Sequence, residues 1–355
     1  MQIKCFEPDL DSRDILSLEA CLQSKQLAFG DLVVRFENAY KKHSNKKYNI
    51  GMSSASAAAY AIFAYLYETM GPCDVYTPFL GFVSPAWAAK KNGHNVIFTD
   101  VNDKLLFDSE SYLRSRGDVP LTHKSRPIVV MPVLYGGVSE ISDLDLVGDE
   151  IVVVDSAHCI SPKIESDFVF FSFHPVKPIC MSNGGLLATN DEQSAEFFRK
   201  YRNFGRETQG DSYDIVQDGF NFYMNNLNAS LGLSQLSKCF NNVKKRKENY
   251  IFLRDNINTK LGSFVGHDLD SSFYLSTMVL NPGYSSKNIR EYLSKKGIQA
   301  SFHYPFLHKT KLFGRDEFIE SAKKFDDKIL NLPVHQSLTG ADIDIIIEYL
   351  NDYTG

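Results

Sequence analysis

The sequence predicts an α/β protein, in which a large domain with a mostly parallel sheet between helices is followed by a smaller C-terminal α+β domain. Two observations support this prediction. Continuous apolar runs alternate with helical patterns through the first two thirds of the 355-residue chain, and such runs are typical of parallel strands covered on both faces. After about residue 190 one long helical segment is followed by short strands and helices. A chain of this length has room for two domains.

The predicted strands of the large domain are short apolar runs at fairly regular intervals. They cover residues 73–79, 95–101, 127–135, 150–157, 167–173 and 184–190. Helical patterns lie before or between them, at about residues 56–69, 83–92 and 107–116. Strands that alternate with helices are the signature of a doubly wound sheet.

The remainder of the chain predicts mainly helices. They cover about residues 226–256, 287–296, 315–329 and 340–352, with a strand at 273–281. We therefore expect residues 1–245 to form the large domain, including the N-terminal segment, and residues 246–355 to form the small one.

Composition excludes several classes of function. The net charge of −5 provides no basic surface for nucleic acid or an anionic membrane, and no apolar run approaches the roughly 20 residues of a membrane helix. The six cysteines lack the CxxC spacing of a zinc or redox site, and the histidine spacing predicts no metal site. Free thiols are typical of the cytoplasm, where we expect this protein to reside.

Two residues at strand ends are candidates for chemistry. Asp155 ends the run IVVVD, and ligands of open α/β sheets bind beyond the carboxyl ends of strands. A structural cap explains this carboxylate equally well. Lys177 follows the next apolar run, and a lysine among apolar neighbours can have a lowered pKa and act as a nucleophile. Taken alone, a surface lysine in a loop is the simpler interpretation.

A third candidate is the run of small and hydroxylic residues at 52–59, directly before a helical pattern. A helix that begins this way offers backbone N–H groups and hydroxyls to an anion such as phosphate, although an N-cap without a ligand has the same appearance. Gly184-Gly185 predicts a tight turn, and Asn221 stands before the long helix. The chain has no GxGxxG, GxxxxGK[ST], GxSxG or HExxH motif.

Several segments, in order and over nearly the whole chain, carry a resemblance. They are Phe29-Gly30 with Arg35-Phe36-Glu37, YNIGMSSASAA (48–58), TPFLGFVSPAWAAKKNGHNVIFTDVN (77–102), VVVDSAH (152–158), SFHPVK (172–177) with Gly184-Gly185, GFNFYMNNLNASLGLSQL (219–236), HYPFLH (303–308) and LPVHQSLTGADIDIIIEYL (332–350). Together they resemble the DegT/DnrJ/StrS sugar aminotransferase family, which has the fold-type I architecture of pyridoxal-phosphate-dependent transferases.

The resemblance implies roles around the ring of pyridoxal 5'-phosphate. Lys177 would form the Schiff base and move the proton. Asp155 would pair with the pyridinium nitrogen. His158, where the family commonly has Gln, would hydrogen-bond the phenolic oxygen, and Phe82 would stack on the ring.

The resemblance also implies a phosphate site and a dimer. Ala55, Ser56 and Ser172 would hold the phosphate. Asn221 would reach the phosphate of the neighbouring subunit's cofactor, so a homodimer with active sites at the subunit interface is expected. The reaction implied is amino transfer, from L-glutamate, to the keto group of a nucleotide-linked deoxy sugar or a related keto sugar.

The chain departs from the family pattern at three positions, and the last two of them bear on substrate choice. The usual Gly-Thr of the phosphate loop is Ala55-Ser56, the usual Glu before the paired glycines is Asn183, and the usual Arg is Tyr223. They leave open another keto acceptor, such as a keto-octulosonate, an inosose or a small phosphorylated ketone.

Two other functions remain as alternatives. A branch of the family with His at the lysine position dehydrates sugars, and a non-catalytic relative could sense a ligand. The presence of Lys177 argues against the first, and the presence of both Lys177 and Asp155 argues against the second.

Overall fold

A seven-stranded sheet is the centre of the protein. The computed structural model describes residues 2–117, 126–207, 213–314 and 319–354. In chain order the strands of this sheet are β1 (Tyr48–Met52), β2 (Asp74–Pro78), β3 (Asn95–Thr99), β4 (Ile128–Val130), β5 (Ile151–Asp155), β6 (Phe168–Ser172) and β7 (Gly185–Thr189). Their spatial order is β1-β7-β6-β5-β4-β2-β3. The six strands predicted for this part all occur within the predicted limits.

The sheet is mostly parallel, as predicted. Strands β3, β2, β4, β5 and β6 are parallel to one another, whereas β7 runs antiparallel to both β6 and β1. Five parallel strands therefore end at one edge of the sheet, which is where ligands of α/β proteins bind. This architecture confirms the α/β fold class.

Helices cover the sheet. In chain order they are α1 (Ser12–Ser24), α2 (Asp31–Ser44), α3 (Ala55–Met70), α4 (Val83–Lys91), α5 (Ser109–Gly117), α6 (Glu192–Tyr201), α7 (Asn226–Asn256), α8 (Ser286–Lys295), α9 (Glu320–Phe325) and α10 (Gly340–Asn351). None of the described helices is long and apolar enough to cross a membrane.

Strand β6 shows why its sequence is continuously apolar. Successive side chains of a strand point to opposite faces. The ring of Phe168 lies 5.9 Å from that of Tyr65 in α3 and 5.8 Å from that of Phe198 in α6. The ring of Phe171 lies 4.9 Å from that of Tyr40 in α2. Because both faces are covered, apolar residues are favoured at every position.

Strand β1 was not predicted, and its composition explains why. Asn49 and Gly51 interrupt the apolar pattern of YNIGM, yet the strand is held by pairing with β7 and by a buried ion pair. Gly51 donates its N–H to Glu37 Oε1 at 2.7 Å, and Arg202 Nη1 contacts both Glu37 Oε1 at 2.5 Å and Gly51 O at 2.8 Å. The strand depends on long-range partners that a local pattern does not contain.

The C-terminal part contains a second sheet and a second apolar cluster. Strands β8 (Gly262–Phe264), β9 (Ser276–Leu280) and β10 (Ile329–Leu332) pair antiparallel in the order β10-β9-β8. They enclose an apolar cluster with α8 and α10. The predicted boundary between residues 245 and 246 falls within α7, and the division into domains stays a prediction.

The first residues of the chain lie against this C-terminal part. Ile3 forms a β-bridge with Ile298 and belongs to the second apolar cluster. His335 Nε2 lies 3.0 Å from the carbonyl oxygen of Lys4. The two ends of the sequence are thus joined in one structure.

The predicted helix at 315–329 was wrong at its C-terminal end. Residues 315–318 lie outside the described part of the chain, α9 ends at Phe325, and Ile329 already begins β10. Asp327 has a φ of 54°, a left-handed conformation in which a helix does not continue. Pairing with β9 then selects the extended form for the apolar residues that follow.

Gly185 sets the distance between the sheet and the start of α3. A Cβ atom on this residue would lie 2.2 Å from the carbonyl carbon of Ser54 and 2.4 Å from the backbone nitrogen of Ala55. These are backbone atoms, so they cannot move aside as a flexible side chain would. Only glycine allows this approach.

We therefore predict that Gly185→Ala lowers the free energy of unfolding by about 2–3 kcal/mol, because the added methyl forces backbone shifts in a packed region. Urea unfolding followed by circular dichroism measures the change. Gly266→Ala is the matched control, since a Cβ there meets nothing within 4 Å. Equal stability of the two variants would contradict the close approach.

Candidate active site

A cavity of about 340 Å³ opens at the carboxyl edge of the parallel strands. Seven of the eight site residues predicted from the sequence line it. They are Ala55, Ser56, Phe82, Asp155, His158, Ser172 and Lys177. The fold thus brings together residues that are up to 122 positions apart in the sequence (177 − 55).

Asp155 lies at the end of β5, between β4 and β6 in the sheet. It is 3% exposed and accepts a hydrogen bond from the backbone N–H of Ala157 at 2.9 Å. Burial raises the pKa of its carboxyl to about 6, against the opposing effects of the Ala157 hydrogen bond and the positive charge of Lys177. At neutral pH this group is mainly a carboxylate.

Lys177 lies in the turn that follows β6. Its backbone N–H donates to the carbonyl of His174 at 2.8 Å, and its Nζ lies 4.2 Å from the centre of the Tyr274 ring. Burial lowers the pKa of the ammonium group to about 7, although the charge of Asp155 acts in the opposite direction. A large share of the side chain is therefore a neutral amine at neutral pH, as a nucleophile requires.

The start of α3 has the donor groups that an anion site requires. Ser54 caps the helix, since its Oγ accepts the N–H of Ala57 at 3.1 Å. The N–H groups of Ala55 and Ser56 precede the first helical hydrogen bond and have no partner within the helix. The Ser56 hydroxyl donates to Ser84 Oγ at 2.8 Å, and Ser172 lines the same cavity. Such N–H groups and hydroxyls suit a phosphate.

His158 is buried, and both of its ring nitrogens are engaged. Nδ1 lies 3.3 Å from the backbone nitrogen of Gly136, and Nε2 lies 2.8 Å from the Tyr304 hydroxyl oxygen. Burial holds the pKa of the imidazole well below its ordinary value, with further contributions from the charges of Lys177 and His303. The ring is therefore neutral.

Phe82 lies at the mouth of the cavity and is 52% exposed. It precedes α4, and its ring centre lies 5.6 Å from that of Tyr304 at an interplanar angle of 61°. An exposed ring at this position is available to a flat ligand. That Phe82 stacks on the cofactor ring therefore stays a prediction.

Asn221 is the one predicted site residue that does not line the cavity. It is exposed and forms a β-bridge with Asn203. The predicted contact of Asn221 is with a neighbouring subunit's cofactor, so its position outside the cavity of its own chain neither supports nor excludes that role.

Sequence reasoning assigned no role to three aromatic residues of the cavity wall, Tyr274, His303 and Tyr304. They lie on loops between β8 and α9 that fold back over the large sheet. The segment HYPFLH was part of the resemblance, but no local pattern indicates that its first two residues face Lys177.

The donor set fits pyridoxal phosphate at three separate points. The start of α3 suits the phosphate, the Asp155 carboxylate suits a protonated ring nitrogen, and the Lys177 amine suits the aldehyde carbon. The described residues contain no group of His, Cys, Asp or Glu that could hold a metal ion.

Comparisons with known proteins agree with this chemistry. A model of the DegT/DnrJ/EryC1/StrS aminotransferase family matches residues 8–351. A curated UDP-4-amino-4,6-dideoxy-N-acetyl-beta-L-altrosamine transaminase from Campylobacter jejuni is 28% identical over 96% of this chain and 95% of the relative. A UDP-4-amino-4-deoxy-L-arabinose–oxoglutarate aminotransferase from Shewanella sediminis is 24% identical over 98% of this chain and 97% of the relative.

Solved structures share the fold. PseC from Helicobacter pylori, an aminotransferase involved in the biosynthesis of pseudaminic acid, aligns with a TM-score of 0.88 at 23% identity and covers 99% of this chain and 98% of its own. The PMP form of the sugar aminotransferase Spr1654 from Streptococcus pneumoniae aligns with a TM-score of 0.86 at 21% identity and covers 99% of this chain and 97% of its own.

We predict that the rate at which the cofactor-free protein captures pyridoxal phosphate rises with pH around a midpoint near 7, because only the neutral amine of Lys177 can attack. Stopped-flow absorbance measures this rate. In Asp155→Asn the midpoint moves to lower pH, since the carboxylate charge that raises the pKa of Lys177 is gone. A wild-type midpoint close to 10.5, the ordinary value for lysine, would contradict this account.

Proposed function

The chain belongs to the DegT/DnrJ/EryC1/StrS aminotransferase family, and from this premise we propose that it transfers an amino group from L-glutamate to the keto group of a nucleotide-linked deoxy sugar. Membership confirms the aminotransferase activity and the pyridoxal phosphate cofactor expected from the sequence. The observation that supports the site assignment most directly is that Lys177 and Asp155, both buried, line the same cavity at one edge of the sheet, where burial lowers the pKa of the lysine to about 7.

Pyridoxal phosphate, when bound, supplies an aldehyde carbon that accepts amines and a ring that takes up electrons. Lys177 Nζ is the group that would bind it, and once displaced by the incoming amine it would carry a proton between two carbons of the reacting system. A pKa near 7 suits this exchange, since the same nitrogen has to take up and release a proton at neutral pH.

The other residues of the site would hold and orient the cofactor. The Asp155 carboxylate would keep a proton on the ring nitrogen, which favours electron uptake by the ring. Ala55, Ser56 and Ser172 would fix the phosphate, and Phe82 would cover one face of the ring. Because these residues would hold the cofactor in place, Lys177 would be the group that moves protons.

The proposed acceptor follows from the relatives. The two curated relatives described above are named for UDP-linked amino sugars, which supports a nucleotide-linked sugar as the acceptor. A further relative from Bacillus subtilis is named as a spore coat polysaccharide biosynthesis protein, which supports a role in polysaccharide synthesis. Asn183 lines the cavity without the negative charge of the usual Glu. We therefore expect the acceptor to differ in detail from those of relatives that keep the acid.

We further propose that the working unit is a homodimer in the cytoplasm. Large apolar side chains near Asn221, including Phe204, Ile215 and Phe220, are exposed in the single chain, and such groups favour burial against a partner. The six cysteines are free thiols, in keeping with a reducing compartment.

The first test is spectroscopic. The wild-type protein with pyridoxal phosphate is expected to show the visible absorption of a lysine-bound cofactor, which L-glutamate then removes as 2-oxoglutarate forms in equal amount. Lys177→Ala is expected to lack this absorption. Lys244→Ala, a change at an exposed surface lysine, is the control and is expected to behave as wild type.

Two results would count against the proposal. Retention of the lysine-bound absorption by Lys177→Ala would show that another lysine binds the cofactor. Absorption that L-glutamate leaves unchanged would mean that the amino donor is a different compound. The second half-reaction is then tested with UDP-linked 4-keto sugars as acceptors.

The dimer and the role of Asn221 are tested together by subunit mixing. If Asn221 serves the neighbouring subunit, a random mixture of Lys177→Ala and Asn221→Ala subunits is expected to recover about a quarter of wild-type activity, because half of the dimers are mixed and each of these has one intact site. If Asn221 serves its own subunit, no mixed dimer has an intact site and no activity returns.

A further inference from the structure

A short hydrogen-bonded series leads from the backbone into the cavity. The N–H of Gly136 faces His158 Nδ1 at 3.3 Å, and His158 Nε2 faces the Tyr304 hydroxyl oxygen at 2.8 Å. A backbone N–H can only donate, so Nδ1 is the acceptor and carries no hydrogen. A neutral imidazole then carries its hydrogen on Nε2, which donates to the oxygen of Tyr304.

The direction of these bonds determines what Tyr304 can do. Its oxygen accepts from His158, so its own hydrogen has to be donated elsewhere. Among the described residues no other hydrogen-bond partner of this hydroxyl is present, and Tyr304 lines the cavity. The phenol stays protonated, since burial raises its pKa well above the ordinary value.

The hydroxyl belongs to the same wall as the amine of Lys177. The Lys177 Nζ lies 4.2 Å from the Tyr274 ring centre, the His158 and Tyr274 ring centres are 4.4 Å apart, and His158 bonds Tyr304. In pyridoxal phosphate the phenolic oxygen is on the ring carbon next to the one that bears the aldehyde. The phosphate arm is on the other neighbouring carbon, so with the phosphate at the start of α3 and the aldehyde carbon at Lys177, that oxygen would lie on the side of the ring away from the phosphate, within reach of this wall.

We propose that Tyr304 donates its hydroxyl hydrogen to the phenolic oxygen of bound pyridoxal phosphate, and that His158 is a positioning residue that fixes the direction of donation. This replaces the direct contact predicted for His158 by a contact through Tyr304. The proposal rests on the assignment of Lys177 as the cofactor-binding lysine.

The consequence is a change in the acidity of the lysine–cofactor linkage. A donor at the phenolic oxygen stabilises negative charge there, so this oxygen holds the proton of the lysine–cofactor linkage less strongly. The pKa of the linkage therefore falls. The other titratable or charged groups that face this position come from several elements. They are Asp155 at the end of β5, His158 in the loop after β5, His174 and Lys177 in the turn after β6, and Tyr274 and His303 of the C-terminal loops.

The experiment is a pH titration of the visible absorption of the protein with pyridoxal phosphate alone, without amino donor or keto acceptor. Tyr304→Phe is expected to raise the midpoint by about one to two pH units. His158→Phe keeps the Tyr304 hydroxyl but removes the hydrogen bond that fixes its orientation, so a smaller rise of the midpoint is expected. Tyr135→Phe is the control, because the Tyr135 hydroxyl donates to the carbonyl of His303, and its midpoint is expected to equal that of the wild type.

An unchanged midpoint in Tyr304→Phe overturns the proposal, and a raised KM for the keto acceptor in that variant would then assign the hydroxyl to the substrate. An unchanged midpoint in His158→Phe, with a shift in Tyr304→Phe, overturns the positioning role of His158. Thermal unfolding of each cofactor-free variant identifies any loss of fold. Failure of the Lys177 assignment is distinguishable, because Lys177→Ala would then keep the visible absorption.

Discussion

The burial of one carboxylate and one amine at the same edge of the sheet is the constraint on which the site depends. Removal from water disfavours the charged form of each group, raising the pKa of Asp155 and lowering that of Lys177. The opposite charge nearby offsets part of both shifts. The result is a pair in which the acid is ionised and the amine is partly free at neutral pH, the combination that amine chemistry on a protonated ring requires.

Rigid elements hold this pair and the phosphate site in register. Asp155 ends β5, Lys177 follows β6, and the start of α3 lies against Gly185 at the beginning of β7. Two adjacent strands thus position the two charged groups, and the next strand lies against the start of α3. Sites built on strands and helix starts keep their geometry better than sites built on loops. The loops supply the part of the cavity wall that Tyr274, His303 and Tyr304 form.

The sequence was informative where a local pattern carries the structure. Strands with both faces buried are apolar throughout, so β2 to β7 could be located, with Asp155 at the end of β5 and Lys177 shortly after β6. Strand β1 depends on Glu37 and Arg202, and strand β10 depends on pairing with β9. Local sequence patterns therefore did not predict either strand. Tyr304 faces the cavity because a distant segment folds over the sheet, and neither its spacing nor its neighbours indicate this. Contacts between segments that are distant in the sequence can be identified only from the folded structure.

The contact between the two ends of the chain has a consequence for synthesis. Lys4 and His335 are 331 positions apart, and Cys5 and Ser301 are 296 apart. At ribosomal rates of about 5–20 residues per second, the first residues wait roughly 17–66 s for their partners. The large sheet can assemble earlier from its own residues, but residues 3–5 stay without their native neighbours until residues 297–335 have been made. A chain that stops before residue 297 would lack all of these partners, so residues 3–5 would stay without their native neighbours.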